Sequence, residues 1–160
     1  MRRHWSSFLF LATTAALLLA ACSSGPVRRV SEPSASILQL TVRADGSWSV
    51  DLRLQNYSSI PMRFEAISLD MKLGDHEAGT LKGNAGISIG PESADVVTLE
   101  HTPTSVGRIA IADALGDNRG IGYSLEGTLR AAPEGSGERS FDIERTSGLN
   151  PVPGLPGVLR

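Results

Sequence analysis

Hydrophobic and polar residues alternate in two neighbouring stretches of the chain. The even-numbered positions are apolar in residues 38–42 and again in residues 48–54, which begin with Trp48. A period of two places one set of side chains on one face of a β-strand. The pair Asp45-Gly46 between the stretches is typical of a tight hairpin, because glycine tolerates positive φ. The pattern predicts two strands that share one core face, with Trp48 packed in the core rather than stacked on a ligand.

The next apolar stretch, residues 60–73, changes phase partway along. Met62 and Phe64 keep the even phase, whereas the apolar residues from Ile67 onward are odd-numbered. A shift of one position turns a strand's apolar side chains to the other face. The change near residues 65–66 therefore predicts a bend or a β-bulge.

Further short apolar stretches follow and are separated by turn residues. About seven short strands spaced by turns, with at most one short helix, predict an all-β protein, a β-sandwich. We expect Gly127 on the inward face to allow close packing or a bulge. The remaining strand candidates are residues 78–82, 87–89, 94–99, 123–131 and 141–143.

Residues 104–115 fit two structures. Thr104 or Ser105 is a suitable N-cap for a short helix that would end at Gly116, whereas the isoleucines also permit a strand. We favour a helix or an irregular crossover. In a helix, the residues expected to face the core are Val106, Ile109 and Ala110.

The N-terminus has the pattern of a targeting segment. A basic start at residues 1–4 precedes an apolar stretch at residues 8–21. As a helix, this stretch would reach only about 21 Å, less than a bilayer core of roughly 30 Å. We therefore interpret residues 1–21 as a signal peptide rather than a permanent span.

The end of this stretch, Leu19-Ala20-Ala21-Cys22, resembles the lipobox of bacterial lipoproteins. The resemblance implies that the Cys22 thiol is lipidated and that the chain is cleaved just before it. A small apolar residue within a signal peptide or anchor helix is the alternative interpretation of Cys22. Ser23 in the next position, rather than aspartate, implies the outer membrane, facing the periplasm.

The rest of the chain divides into three parts. We interpret residues 22–35 as the lipidated cysteine followed by a flexible tether, in which Arg28 and Arg29 form a solvated pair. Residues 36–146 form the sandwich domain. Residues 147–160, rich in proline and glycine, are expected to form a mobile or surface-draped tail without a regular element.

Charge narrows the choice of partners. Without residues 1–21 the chain has 13 Lys and Arg against 17 Asp and Glu, a formal net charge of −4. Such a balance disfavours nucleic acid and offers no basic patch for anionic lipids. Membrane attachment is therefore expected through acyl chains on Cys22, and an envelope protein partner stays unidentified.

Six segments in a fixed order carry a family resemblance. Together they resemble the late embryogenesis abundant (LEA) type 2, or WHy, domain over about residues 36–145, in a bacterial lipoprotein member of that family. The resemblance implies an immunoglobulin- or fibronectin-III-like β-sandwich linked to desiccation and other stress, and it supplies no catalytic residues. The segments are residues 52–56 (LRLQN), 60–62 (IPM), 64–73 (FEAISLDMKL), 79–81 (GTL), 87–99 (ISIGPESADVVTL) and 123–129 (YSLEGTL).

One departure concerns the turn after the second strand. Many family members have Asn-Pro there, whereas this chain has Asn56-Tyr57-Ser58 and its proline comes later, at Pro61. We expect the turn to differ accordingly.

Residues for catalysis or metal binding are scarce. His76 and His101 are the only histidines after residue 21. Residues 86–90 (GISIG) match Gly-x-Ser-x-Gly, but they fall on a strand candidate rather than on the turn from a strand to a helix that a nucleophilic serine requires. In a strand, His76 would point away from its acidic neighbours. We expect both histidines to be solvated, and we expect no catalytic residue, no cofactor and no metal site.

The leading hypothesis is a non-enzymatic, lipid-anchored envelope protein of the LEA type 2 class that protects against desiccation or osmotic stress. The second is a binding module or assembly adaptor whose sandwich edge strands accept a partner strand. Candidate edges are the short strand at residues 78–82 and the last strand. A hydrolase based on His76 and His101 is the third.

Overall fold

The computed structural model describes residues 28–160. The predicted signal peptide (residues 1–21) and Cys22 lie outside the described residues. The described chain contains eight strands and one helix. They are β1 (Ser34–Val42), β2 (Trp48–Gln55), β3 (Met62–Leu73), β4 (His76–Ile89), β5 (Ala94–His101), α1 (Ser105–Gly116), β6 (Ile121–Pro133), β7 (Arg139–Leu149) and β8 (Val158–Leu159).

The strands form two antiparallel sheets of four. The order is β5-β2-β1-β8 in the first sheet and β4-β3-β6-β7 in the second. Buried apolar residues from both sheets form one core between them. The predicted all-β sandwich with one short helix is confirmed.

The hairpin of β1 and β2 places most of its predicted apolar positions in this core, but Leu38 is 47% exposed, because the register of β1 shifts between Ile37 and Gln39. Trp48 is only 1% exposed, and the other even-numbered residues of β2 are fully buried. Gly46 has a φ of +82°, which explains the glycine in this turn. The prediction that Trp48 packs in the core is confirmed.

The predicted break in phase is a β-bulge. The register of β3 shifts between Phe64 and Ala66 against both of its neighbours, β4 and β6. Met62 and Phe64 before the bulge and Ile67 and Leu69 after it are all buried. One extra residue thus keeps both phases on the core side.

Strand β4 is longer than predicted. Residues 78–82 and 87–89, expected as separate short strands, belong to one strand of 14 residues. A two-residue turn, Gly74-Asp75, joins it to β3. Backbone pairing with β3 continues along β4 through positions that lack the apolar alternation, so the side-chain pattern did not reveal the middle of the strand.

The helix forms, but its buried face differs from the prediction. Thr104 is the N-cap, and its Oγ1 accepts a hydrogen bond from the N–H of Gly107 (3.0 Å). Val106 and Ile109 are 50% and 60% exposed, not inward. A Cβ on Gly107 would lie 2.9 Å from Ala78 Cα, so the helix packs so close to β4 that only small side chains fit there. The buried residues are Gly107, Ala110, Ile111 and Ala114.

The C-terminal segment also contains a regular element that was not predicted. β7 continues to Leu149, and β8 pairs with β1. Leu149 and Leu159 are buried, and the N–H of Val42 donates to the carbonyl of Gly157 (2.8 Å). The proline-rich residues 150–157 form a loop that returns the chain to the sheet, so residues 147–160 are not a draped tail.

The N-terminal boundary shifts as well. β1 begins at Ser34, inside the segment predicted as tether (residues 22–35). Arg28 and Arg29, predicted as a solvated pair, bond to other loops of the domain. Residues 28–33 are therefore held against the sandwich, because their backbone finds partners at its end.

The turn after β2 is held by a buried asparagine. Asn56 Nδ2 donates to the carbonyls of Ile60 (2.9 Å), Ile89 (3.1 Å) and Gly90 (2.9 Å), while Oδ1 accepts from the N–H of Ser58 (2.9 Å). One side chain thus satisfies four backbone groups and joins the β2–β3 loop to the end of β4.

Gly127 lies in the second sheet where β6 approaches the backbone of β3 too closely for a side chain. Its φ is +151°, and a Cβ there would lie 2.2 Å from the carbonyl oxygen of Ser68. We expect Gly127→Ala to lower the free energy of unfolding by about 2–4 kcal/mol, measured by urea denaturation. Gly116→Ala is the control, since a Cβ at Gly116 meets nothing within 4 Å. Equal stability of the two variants would contradict this account.

Candidate functional site

The two histidines occupy different environments. His76 is exposed at the start of β4, as predicted. His101 is only 6% exposed, so the prediction that it is solvated is wrong. Its Nε2–H donates to the carbonyl of Ala78 (2.9 Å), and its ring lies 5.7 Å from that of Trp48. His101 therefore joins β5 to β4 across the two sheets.

The ring of His101 also packs over a glycine. A Cβ on Gly79 would lie 3.1 Å from its Cε1, and the φ of Gly79 is +107°. The sequence offered a signal here, because a histidine that continues the buried odd phase of Val97 and Leu99 in β5 belongs to the core face. This packing gives His101 a structural role.

The acidic side chains of the described residues supply a turn contact rather than a metal site. Among residues 28–160, no group of three or more His, Cys, Asp or Glu residues is arranged to hold a metal ion. The Ser47 hydroxyl and N–H both donate to Asp45 Oδ1 (2.6 and 2.9 Å), and these bonds lower the pKa of Asp45. That carboxylate lies in the β1–β2 turn, where it closes the hairpin.

A search for membrane-spanning helices in residues 28–160 finds none with the length and hydrophobicity that a span requires.

One side of the sandwich is open. β8 pairs with only Leu40 and Thr41 of β1, so the first half of β1 has β2 as its sole strand partner among the described residues. The N–H of Ile37 is instead capped by the hydroxyl of Tyr123 on the other sheet (3.1 Å). Across from β1, β7 has β6 as its one strand partner within residues 28–160. Two strand edges thus face the same side.

A groove of about 810 Å³ runs along this open side. Its lining contains four carboxylates and one guanidinium, a formal net charge of −3, together with small and apolar residues near its floor. We refer to it as the acidic groove. Its lining residues are Glu32, Pro33, Ser34, Ala35, Glu126, Gly127, Thr128, Asp142, Ile143, Glu144 and Arg145.

The lining of the acidic groove could not be assembled from the sequence. Glu126, Asp142 and Glu144 lie on the polar phase of β6 and β7, which a strand pattern assigns to solvent. Only the strand topology brings them near Glu32. Alternation of polar and apolar residues predicts which face of a strand is buried, but not which strands lie side by side. Cys22, the one predicted modification site, lies outside the described residues.

A family model decides the classification of the chain. The model described as late embryogenesis abundant protein, LEA_2, matches residues 51–146, more than half of the chain. The chain belongs to the LEA_2 family. A comparison with curated proteins finds no significant match. The matched residues run from within β2 to within β7, so they contain nearly all of the second sheet but, of the first sheet, only β5 and part of β2.

One solved structure supports the same fold at low identity, and two others have lower structural similarity. The LEA_2 chain resembles the solution structure of AT1g01470 from Arabidopsis thaliana, with 16% identity, a TM-score of 0.50, and coverage of 79% of this chain and 82% of that one. A putative LEA protein, At2g46140.1, is 20% identical over 95% of this chain and 83% of that one, with a TM-score of 0.41. An Archaeoglobus fulgidus protein is 12% identical over 78% and 98%, with a TM-score of 0.43.

The buried position of His101 leads to a prediction about stability. We expect His101→Ala to lower the free energy of unfolding by about 1.5–3 kcal/mol, because it removes a hydrogen bond and leaves a cavity beside Trp48. His76→Ala, at an exposed position on the adjacent strand, should change it by less than about 0.5 kcal/mol. Urea denaturation of both variants measures the difference, and two unchanged stabilities would refute the structural role of His101.

Proposed function

We propose that this LEA_2 protein is a non-enzymatic, lipid-anchored protein of the bacterial cell envelope that protects envelope components during desiccation or osmotic stress. Membership of the LEA_2 family supports a LEA-type role. The sequence Leu19-Ala20-Ala21-Cys22 supports lipid attachment at Cys22, with the domain on the periplasmic side of the outer membrane.

The interior of the domain supports a role without catalysis. Of the two described histidines, His101 is used in packing, and His76 stands in an exposed strand start. The features of the structure that suit a function lie instead on its surface, in the open strand edges and the acidic groove. Such surfaces suit contact with other molecules rather than chemistry on a bound substrate.

A deletion strain tests both parts of the proposal. We expect loss of the gene to reduce survival after drying or osmotic shock, and we expect the wild-type gene to restore it. A Cys22→Ser gene should fail to restore survival, because its product has no thiol to lipidate and is not cleaved before residue 22. Colony counts after drying and immunoblots of fractionated cells are the measurements.

The outcomes separate stress protection from attachment. Survival of the deletion strain equal to wild type under both stresses would remove the stress assignment. A Cys22→Ser protein that is still processed and retained in the membrane fraction would remove lipid attachment. Comparable amounts of the two proteins by immunoblot are the control for expression.

A second candidate function is that of an envelope binding module, and the open side of the sandwich favours it. β4 and β7 lie at the two edges of their sheet, as the second hypothesis requires. They have 14 and 11 residues and are therefore longer than the short strands that were expected there. α1 packs on β4 and covers part of that edge. The free edge of β7 beside the acidic groove is therefore the better acceptor for an extended, basic partner segment.

Charge reversal tests this second candidate. We expect a partner that co-purifies from mildly solubilised envelope to be lost with Asp142→Lys/Glu144→Lys, because the groove then repels a basic segment. Asp75→Lys/Asp113→Lys, at exposed positions away from the groove, has the same change in net charge and should retain the partner. Purification of the wild-type protein alone across several detergents would argue against a binding module.

A further inference from the structure

The chain that leads into β1 crosses one end of the sandwich. This end, here called the loop end, consists of the β2–β3 loop (residues 56–61), the β4–β5 turn (residues 90–93) and the β6–β7 turn (residues 134–138). Residues 28–33, here called the strap, run across it. α1 and the loop at residues 150–157 lie at the opposite end, here called the helix end.

Backbone hydrogen bonds fix the path of the strap. The N–H of Arg29 donates to Ser59 Oγ (2.8 Å), and the N–H of Ser59 donates to the carbonyl of Arg29 (3.0 Å). The N–H of Ser31 donates to Ser58 Oγ (3.0 Å), where Ser58 is fully buried. Each of these bonds uses an N–H or a carbonyl of the strap's main chain, so the strap has a defined position on the β2–β3 loop.

The arginine side chains extend this contact to the other two turns. Arg29 Nη2 donates to the carbonyl of Tyr57 and to Glu92 Oε1, both at 3.1 Å. Arg28 Nη2 donates to the carbonyl of Glu134 (2.6 Å). The Arg29–Glu92 pair is exposed and contributes little by itself, but with Arg28 it brings the strap to all three segments of the loop end.

Chain length then limits where Cys22 can be. Six peptide units join Cys22 to Arg28, and six extended residues span at most about 21 Å. Strand β3 alone, with 12 residues, is about 40 Å long. The thiol of Cys22 therefore stays near the loop end and cannot reach the helix end.

The surface of the loop end suits a layer of lipid headgroups. Tyr57 is 50% exposed and Val30 is 37% exposed, and both lie beside Arg29. Tyrosine is enriched at membrane–water interfaces, and arginine keeps its charge in the headgroup region while its stem packs on apolar surface. The exposed Val106 and Ile109 of α1 lie at the other end of the sandwich.

We infer that the loop end, with Tyr57 and Val30 at its surface, is the face that contacts the lipid headgroups, and that the strap holds the domain in this orientation. The inference rests on the proposed lipid attachment at Cys22. The loop end then faces the membrane, and α1 with its exposed apolar residues lies at the end of the domain farthest from the membrane.

Tryptophan reporters test the orientation without relying on lipidation in cells. The chain from Cys22 to the C-terminus is coupled through the Cys22 thiol to a maleimide lipid in vesicles of phosphatidylcholine with brominated acyl chains, which quench nearby tryptophan. Tyr57→Trp places a reporter at the loop end, and Leu155→Trp, also about half exposed, is the matched control at the helix end. Buried Trp48 contributes the same background to both variants, which the unsubstituted protein measures.

We expect quenching of the Tyr57→Trp reporter to exceed that of Leu155→Trp at least three-fold, with a blue shift of its emission. Equal quenching, or stronger quenching of Leu155→Trp, would overturn the orientation. Since coupling is chemical, failure of this experiment is distinct from failure of lipid attachment in cells. Circular dichroism of both variants checks that they remain folded.

A strap variant tests the second half of the inference. Arg29→Ala/Ser58→Ala/Ser59→Ala removes the hydrogen bonds that the Arg29, Ser58 and Ser59 side chains make between the strap and the loop end, while Arg43→Ala/Ser47→Ala in the β1–β2 hairpin is a control at the helix end. We expect only the strap variant to lower the quenching of Tyr57→Trp, by half or more. Unchanged quenching in the strap variant would show that the strap does not orient the domain.

Discussion

The bulge in β3 is the constraint on which the sandwich depends. β3 is a central strand, paired with β4 on one side and β6 on the other. Without the extra residue near Glu65, the four apolar residues after it, Ile67, Leu69, Met71 and Leu73, would face solvent. Burying each of them contributes about 1.5–3 kcal/mol, and their sum is comparable to the whole stability of a typical domain. The sheet therefore forms in this register because the bulge allows both phases to reach the core.

Close approach of backbones decides the remaining architecture. Gly127 allows β6 to lie against Ser68 of β3, and Gly107 allows α1 to lie against Ala78 of β4. Ala78 also accepts the hydrogen bond from His101. The helix, β4 and β5 thus meet around one backbone position, which explains why one side of the sandwich is closed while the side of β1 and β7 stays open.

The open side and the loop end crossed by the strap are the two surfaces for which we propose contacts with other molecules. The open side exists because β8 is only two residues long and leaves the first half of β1 uncovered. The strap has a fixed position because its main-chain N–H groups donate hydrogen bonds to the hydroxyls of Ser58 and Ser59 in the β2–β3 loop. Asn56 holds that loop in place by bonding to four backbone groups, so a single buried amide supports the end of the domain from which the N-terminal segment departs.

The sequence by itself determined the elements whose side chains report burial directly. Alternation identified β2 with Trp48 in the core and the phase change in β3, and the Asp45-Gly46 pair identified the hairpin turn, because each of these is a pattern within one short stretch of the chain. Only the tertiary structure decided the buried face of α1, the hydrogen bond of His101 to Ala78, the pairing of β8 and the assembly of the acidic groove from Glu32, Glu126, Asp142 and Glu144. Those features depend on which backbones lie side by side, and pairing partners distant in the chain leave no periodic trace in the residues that they bring together.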